Sequence, residues 1–489
     1  MGTAPQSAPD QATSANPRCW LPSFGKIAAG ISLLAFASLC FLAGAAAMFF
    51  DLPPSRTLAE AFKGVTIAAA KTNPVPRKPG QRAEMRIAID QADKAWEGFT
   101  IYGTNEGAEA RMLDMRGEVV HRWTMPPRQD WALATEARSN ESLHWEYCYV
   151  FPNGDLLALT GEGGDTPYGF ALVKLDKDSK LLWRYSAPVH HQVEVHEDGR
   201  ILAVVQEVTS ELPRGLDFLP TPYIADFLVL LSPDGKELER ISVLEAFHNS
   251  PYLAFLLTPE VTRQQHDHRM PAPPFLPQMP GPGVPGPPPG MPPPPPLPSP
   301  GGSHFQPERG DILHTNSIKV LPKSLASKFP MFKAGHVLLS LRSPHVLAVL
   351  DIEKRSIVWA ARGPWLQQHD AQFLENGRLL LFDNVGSSQG SRAIEFDPAT
   401  HAIPWSYGGT KYDAFPSVPF RGACQRLSNG NTLLIDPGSS VMEVTPKKEV
   451  AWQWGFKQGE PRQAHITFAR RLRAEDTTFL KGARNARPK

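Results

Sequence analysis

From Gly98 onward a short unit recurs along this 489-residue chain, and it constrains the fold more than any other feature. One half of the unit is a turn opened by Asp, Ser or Thr, then a strand-like run ending in an aromatic. It reads as Asp114 to Trp123, Asp176 to Trp183, Asp351 to Trp359, Asp397 to Trp405 and Thr445 to Trp452. A weaker copy, Ser232 to Arg240, carries Arg in place of Trp. The other half is a strand, a tight turn and an apolar strand, as in Tyr149 to Leu157 and Phe373 to Leu381, with its turn again at Asp198-Gly199 and Asn429-Gly430. Alternating or apolar runs bounded by such turns specify antiparallel hairpins, not helices. Four short strands returning every ~40–50 residues specify a β-propeller.

The expected fold class is therefore all-β, a six-bladed β-propeller. Its blades fall at residues 98–126, 146–187, 190–245, 313–360, 368–407 and 421–455. The first blade lacks an inner strand, which the run from His465 to Arg470 is expected to supply, closing the ring so that no sheet edge stays open. The propeller then spans residues 98–475, with a C-terminal tail at 476–489.

Before it, residues 1–26 read as a disordered tail. Residues 27–50 contain no charge, and Arg18 and Lys26 precede them. At ~1.5 Å per residue they can cross a ~30 Å hydrocarbon core and exceed a cleavable signal segment. The expectation is an uncleaved transmembrane signal anchor, with the C-terminal domain on the non-cytoplasmic, periplasmic side. Residues 51–97 read as a linker. The chain holds 50 prolines, 17 of them between Pro271 and Pro300, inside an insertion at 250–310 that reads as polyproline II or disordered. This insertion is expected to overhang the mouth of the ring. Lys+Arg 50 against Asp+Glu 49 provides no basic face for nucleic acid. Four cysteines exclude a disulfide scaffold, and neither CxxC nor zinc-type spacing occurs. Cys148 and Cys424, on non-adjacent blades, are expected to be free buried thiols.

Aligning the blades by their turns places one residue at the start of each innermost strand. The set is Glu146, His191, His314, His369, Gly422 (with Arg421 beside it) and His465. Four of six are histidine in a chain with 15. Inner strands line the axis of a propeller, so these residues should converge at one mouth. His144, His190, His336, His345, His266 and His268 are out of phase and read as ordinary surface or core histidines.

The segment Asp311-Ile312-Leu313-His314-Thr315-Asn316-Ser317-Ile318 resembles the D-x-x-H-x-N-S-I motif of the bacterial arylsulfate sulfotransferases. Gln368-His369-Asp370 with Leu374-Glu375-Asn376-Gly377 is similar to their Q-H-[DT] segment and turn. His190-His191 and Arg342 fall where that family carries another His and its Arg. The resemblance spans residues 98–475 and implies nucleotide-independent transfer of a sulfuryl group from an aryl sulfate donor to a phenolic acceptor. It further implies that His369 is the transiently sulfated nucleophile, without cofactor or metal. His314, Arg342 and His191 would hold the sulfuryl oxygens or protonate the leaving phenolate. Asn316, His465 and Arg421 are expected to bind substrate. Two other readings use the same axial histidines. One is a non-haem metal-dependent oxygenase, and the other is a non-catalytic binding module displayed on a membrane.

Overall fold

The computed structural model describes residues 85–126, 143–162, 169–219, 221–256, 310–410, 413, 415, 421–436, 440–456 and 464–480. The expected tail and anchor (residues 1–50) and the proline-rich core (271–300) lie outside the described residues. Among the described residues, no helix is long and apolar enough to cross a membrane.

Six antiparallel sheets form the blades. From the axis outward, blade 2 is Leu143–Val150, Leu156–Glu162, Ala171–Leu175 and Leu181–Tyr185. Blade 3 runs Val189–Val195, Ile201–Thr209, Tyr223–Leu231 and Glu237–Ser242, and blade 4 Thr315–Val320, Val337–Leu341, Val346–Asp351 and Ser356–Ala361. Blade 5 runs His369–Phe373, Leu379–Asp383, Arg392–Phe396 and Trp405–Gly408, and blade 6 Ala423–Arg426, Thr432–Asp436, Ser440–Val444 and Val450–Phe456. Blade 1 takes its inner strand, Ile466–Leu472, from the C-terminus, with Phe99–Thr104, Glu109–Leu113 and Val119–Thr124 outside it. Phe99 pairs with Leu472 and Thr104 with Ile466, so the ring closes as the sequence implies.

Two boundaries differ from the sequence reading. Met85–Asp90, inside the expected linker, pairs with Val450–Phe456 as a fifth, outermost strand of blade 6. Its alternating burial fits a strand with one face covered. At the other end, the expected tail begins later than residue 476. Thr478 Oγ1 donates to the Pro152 carbonyl at 2.8 Å, and the Phe479 ring lies 5.8 Å from that of Trp123.

The repeat acquires its physical reason here. Trp123, Trp183, Trp405 and Trp452 each donate their indole N–H to a turn carbonyl of the next blade, at Gly154, Pro233, Pro446 and Met115 respectively. The distances are 3.0–3.1 Å. Each tryptophan thus joins an apolar body to a satisfied donor, the condition for burying an indole. Arg240, which replaces Trp in blade 3, instead bonds Glu237 at 2.8 Å and pairs with Glu207. The core is divided into apolar clusters that bridge neighbouring blades. Leu339, Leu341, Val346 and Ala348 of blade 4, for example, pack with Leu202, Val204, Ala225 and Leu228 of blade 3. Full burial of one such aliphatic side chain contributes about 1.5–3 kcal/mol.

Candidate active site

The six inner strands run in the same direction along the axis, so their first residues meet at one mouth. A cavity of about 250 Å³ opens there, lined by Glu146, His190, His191, His314, Arg342, His369 and Arg421. All four residues expected to be catalytic, from blades 3, 4 and 5, are thereby brought together. The His191 ring centroid lies 5.0 Å from that of His314 and 6.2 Å from that of His369. Arg342 is placed by its own backbone, whose N–H donates to the His314 carbonyl at 3.0 Å. Its guanidinium donates to Gln367 Oε1, also at 3.0 Å.

The hydrogen bonds of His369 fix its tautomer. Its Nδ1 lies 2.9 Å from the Gln367 carbonyl oxygen and 2.7 Å from Asn384 Oδ1. Asn384 Nδ2 donates to the Arg421 carbonyl at 2.6 Å, which requires the amide oxygen to face the histidine. Both neighbours of Nδ1 are therefore acceptors, so Nδ1 carries the proton and Nε2 the lone pair. Burial pushes the His369 imidazole down to about 3, so it is neutral at physiological pH.

His314 is held differently. Its Nδ1 meets the Asp311 carboxylate in a short contact. Burial alone would raise the Asp311 pKa, but the adjacent His314 outweighs it and keeps the carboxyl below its ordinary value. A carboxylate at Nδ1 orients the ring and compensates the charge that appears when Nε2 takes up a proton.

His191 shares a hydrogen bond with His190, Nδ1 to Nδ1 at 2.6 Å. Burial pushes His190 down to about 3 and His191 well below the usual range, each reinforced by neighbouring imidazoles. With both rings neutral and one proton between the two Nδ1 atoms, the pair occupies opposite tautomers. Asp226 stands 3.9 Å behind His190 Nε2, and burial lifts its carboxyl to about 6.

Of the residues expected to bind substrate, Arg421 lines the cavity, where it forms a bidentate pair with Glu146 at 2.5 and 2.8 Å. Burial would raise the Glu146 pKa, but Arg421 and His144 hold it at about 2. Asn316 lies deeper, lining the narrow section beneath the cavity, with its Nδ2 donating to the Gln368 carbonyl at 2.7 Å. His465 does not line the cavity, although it stands near enough for Arg421, after burial, to help depress it to about 4. Gly422 explains why blade 6 departs from the histidine pattern. Its φ is +85, and a Cβ would lie 2.4 Å from the Phe382 ring.

Sequence reasoning missed Asn384, Gln367 and the supporting role of His190, and it placed Glu146 at the mouth without giving it a role. Only His190 and Glu146 carried a signal, as the neighbour of an in-phase histidine and as the in-phase residue of blade 2. Cys148 and Cys424 are free and buried, as expected. Among the described residues, no group of three or more His, Cys, Asp or Glu is arranged to hold a metal ion.

The arylsulfotransferase (ASST) family model matches residues 297–457, the stretch that carries His314, Arg342, His369, Asn384 and Arg421. No curated protein matches the chain. Similar solved structures include a protein of unknown function from Bacteroides caccae, with TM-score 0.44 and 10% identity over 76% of this chain and 98% of that one. A streptogramin B lyase has TM-score 0.37 and 11% identity over 78% of this chain and 90% of that one. Virginiamycin B lyase from Staphylococcus aureus has TM-score 0.33 and 10% identity over 64% and 70%.

Proposed function

We propose, from the arylsulfotransferase family match over residues 297–457, that this propeller moves a sulfuryl group from an aryl sulfate to a phenol through a sulfohistidine at His369. The observation that carries this reading is the locked tautomer of His369, which leaves an unprotonated Nε2 on the cavity wall. In the first half-reaction the Nε2 lone pair attacks sulfur and the bond from sulfur to the aryl oxygen breaks. The departing phenolate takes a proton from His314 Nε2, and Asp311 then holds a ring that has returned to neutral. The ring of His369 becomes cationic as its N–S bond forms. The two carbonyl oxygens at Nδ1 already point at that developing charge. In the second half-reaction an acceptor phenol gives its proton to His314 and its oxygen attacks sulfur. The N–S bond breaks and His369 recovers its lone pair.

Arg342 supplies a planar fork of donors for the sulfuryl oxygens, and His191 completes the wall beside it. Gln367 ties these parts together, since its side chain receives Arg342 and its backbone carbonyl receives His369. The depressed pKa keeps Nε2 available near neutral pH, while a neutral nitrogen nucleophile gives a labile intermediate. Catalysis is then chiefly positioning and charge stabilisation, as in phosphoryl transfer.

The test is release of nitrophenolate from 4-nitrophenyl sulfate with phenol as acceptor. Wild type should show acceptor-dependent turnover with ping-pong kinetics, and His369→Asn should lose it. Turnover that persists in a folded His369→Asn protein removes the nucleophile from this account.

A further inference from the structure

The axial channel has a second, wider mouth. At the opposite ends of the same six inner strands lies a cavity of about 530 Å³. Tyr147 and Arg470 line both this cavity and the narrow section that leads up to His191 and His369. Each inner strand sends a polar side chain towards this end, namely Tyr147, Glu194, Lys319, Gln372, Gln425 and Arg470.

Most of these groups are already committed. Lys319 Nζ bonds Glu194 Oε2 at 2.8 Å. Gln372 Nε2 donates to the Cys424 carbonyl at 2.6 Å, and its Oε1 accepts from the Arg426 N–H at 3.2 Å. Gln425 is likewise closed on the Arg471 backbone, donating and accepting at 2.9 Å. The rim arginines are paired as well. Arg426 meets Glu395 at 2.7 Å, Arg471 meets Glu443 at 3.3 Å, and Arg473 meets Asp476 at 2.8 Å.

Arg470 is the exception. Among the described residues its guanidinium makes neither a hydrogen bond nor an ion pair, although it is half-buried on the channel axis. The carboxylates that influence it are engaged elsewhere. Glu194 is held by Lys319, and Asp370 accepts from Gln192 Nε2 at 2.6 Å and from the Cys424 N–H at 3.1 Å. A guanidinium has five N–H donors and cannot shed its charge. Leaving it without an acceptor is costly, whereas a planar fork beside open volume suits an oxyanion.

We propose that the wide mouth of the channel is an anion-binding site centred on Arg470, which takes the sulfate, sulfonate or carboxylate group of a small ligand. The site is distinct from the histidine cavity and does not depend on the transfer chemistry assigned there. The ligand's oxygens lie against the Arg470 fork, and Lys319, on the inner strand of blade 4 across the axis, lines the same approach. Free inorganic anion and the acidic head of an aromatic molecule present the same group, and Tyr147 offers a ring only to the second.

Calorimetric titration of the full chain with inorganic sulfate and, separately, with benzenesulfonate tests the proposal. Each probe is added to wild type, Arg342→Met, Arg470→Met and Arg470→Lys at constant ionic strength. The expected result is saturable binding of at least one probe that survives Arg342→Met and weakens tenfold or more in Arg470→Met. Tighter binding of benzenesulfonate identifies an aromatic acid as the ligand class, and tighter binding of sulfate identifies the free anion. Arg470→Lys keeps the charge without the fork and should bind more weakly than wild type. If Arg470→Met does not fold, that comparison decides. Absence of saturable binding in wild type overturns the proposal, as does binding lost only in Arg342→Met or undiminished in both Arg470 variants.

Discussion

The two mouths of the axial channel are made by the same six strands but by different backbone means. Ten described non-glycine residues have positive φ, and six of them are His191, His314, His345, Gln367, Asp370 and Arg421, all at the histidine end. The other four, Ser179, Arg355, His401 and Lys448, sit in outer hairpin turns away from the axis. At the wide mouth, Glu194, Lys319, Gln372, Gln425 and Arg470 all lie within regular strands. A strand alternates its side chains between faces, so a regular strand can aim only every second residue at a given target. A left-handed residue breaks that alternation at a cost of about 1–2 kcal/mol. The histidine mouth accepts this cost repeatedly, which lets adjacent residues such as His190 and His191 both face one cavity. Such strain concentrates where side-chain placement matters for function.

The largest effect that could break this contrast concerns His314. His314→Gln should lower kcat for transfer by about 10²- to 10⁴-fold, the usual scale for a positioned proton donor. Lys319→Met, at the other mouth, should leave kcat within about twofold, even though it strands Glu194. Steady-state nitrophenolate release measures both. Equal losses in the two variants would dissolve the distinction between a reacting and a non-reacting mouth.

Next comes Asn384→Ala, which removes one acceptor from His369 Nδ1. It should lower kcat by about 10- to 100-fold with little change in KM, as expected for a group that orients another. An unchanged kcat would mean that the Gln367 carbonyl alone sets the tautomer.

Stability against pH gives a smaller, graded signal. His190 and His369 titrate near 3 in the folded protein because they are buried, and His191 is depressed as well. Unfolded histidines titrate near 6.5. Their contribution is thus complete above about pH 6.5 and is lost as the pH falls towards 3. Asp226 has the opposite sign, since burial raises it to about 6 and protonation there favours the folded state as the pH falls. His465, depressed to about 4, adds to these three, and His121, His196 and His336 are lowered by burial as well. The histidines therefore outweigh Asp226, and the Tm should fall between pH 6.5 and 4.5. The fall should steepen in Asp226→Asn and flatten in His190→Asn, as followed by thermal melts.

The smallest effect addresses the strain itself. Gln367 has φ +55, so Gln367→Gly should be more stable than Gln367→Ala by about 1 kcal/mol. At the other mouth the order should reverse, with Gln372→Gly less stable than Gln372→Ala by about 0.5–1 kcal/mol. Urea unfolding of the four variants reads the signs directly.

The same contrast explains what could be read from the amino-acid sequence. Blade number and ring closure were legible because the Trp-to-turn latch and the Asn-Gly or Asp-Gly turns repeat with the fold. His191, His314 and His369 were legible as residues of one mouth because blade phase carries a side chain to the same end each time. Met85–Asp90 escaped because one alternating run outside the repeat has no partner visible in sequence. Asn384 and Gln367 escaped for another reason, since each acts through an atom whose direction depends on irregular backbone. His465 was in phase but stands aside from the cavity, so phase placed residues at a mouth without deciding which of them reach into it. The wide mouth was not legible at all. Arg470 looks like any arginine on a strand, and its distinction is the lack of a partner, which only three dimensions reveal.

The covalent bond from His369 to sulfur can be observed by mass spectrometry of the protein after brief exposure to 4-nitrophenyl sulfate without acceptor. Wild type should gain one sulfuryl group, mapped to the peptide containing His369, removed by a phenol and never formed in His369→Asn. Sulfation of a different residue, or phenol-dependent turnover with no protein-bound sulfuryl group at any time after mixing, would contradict a bond from His369 to sulfur.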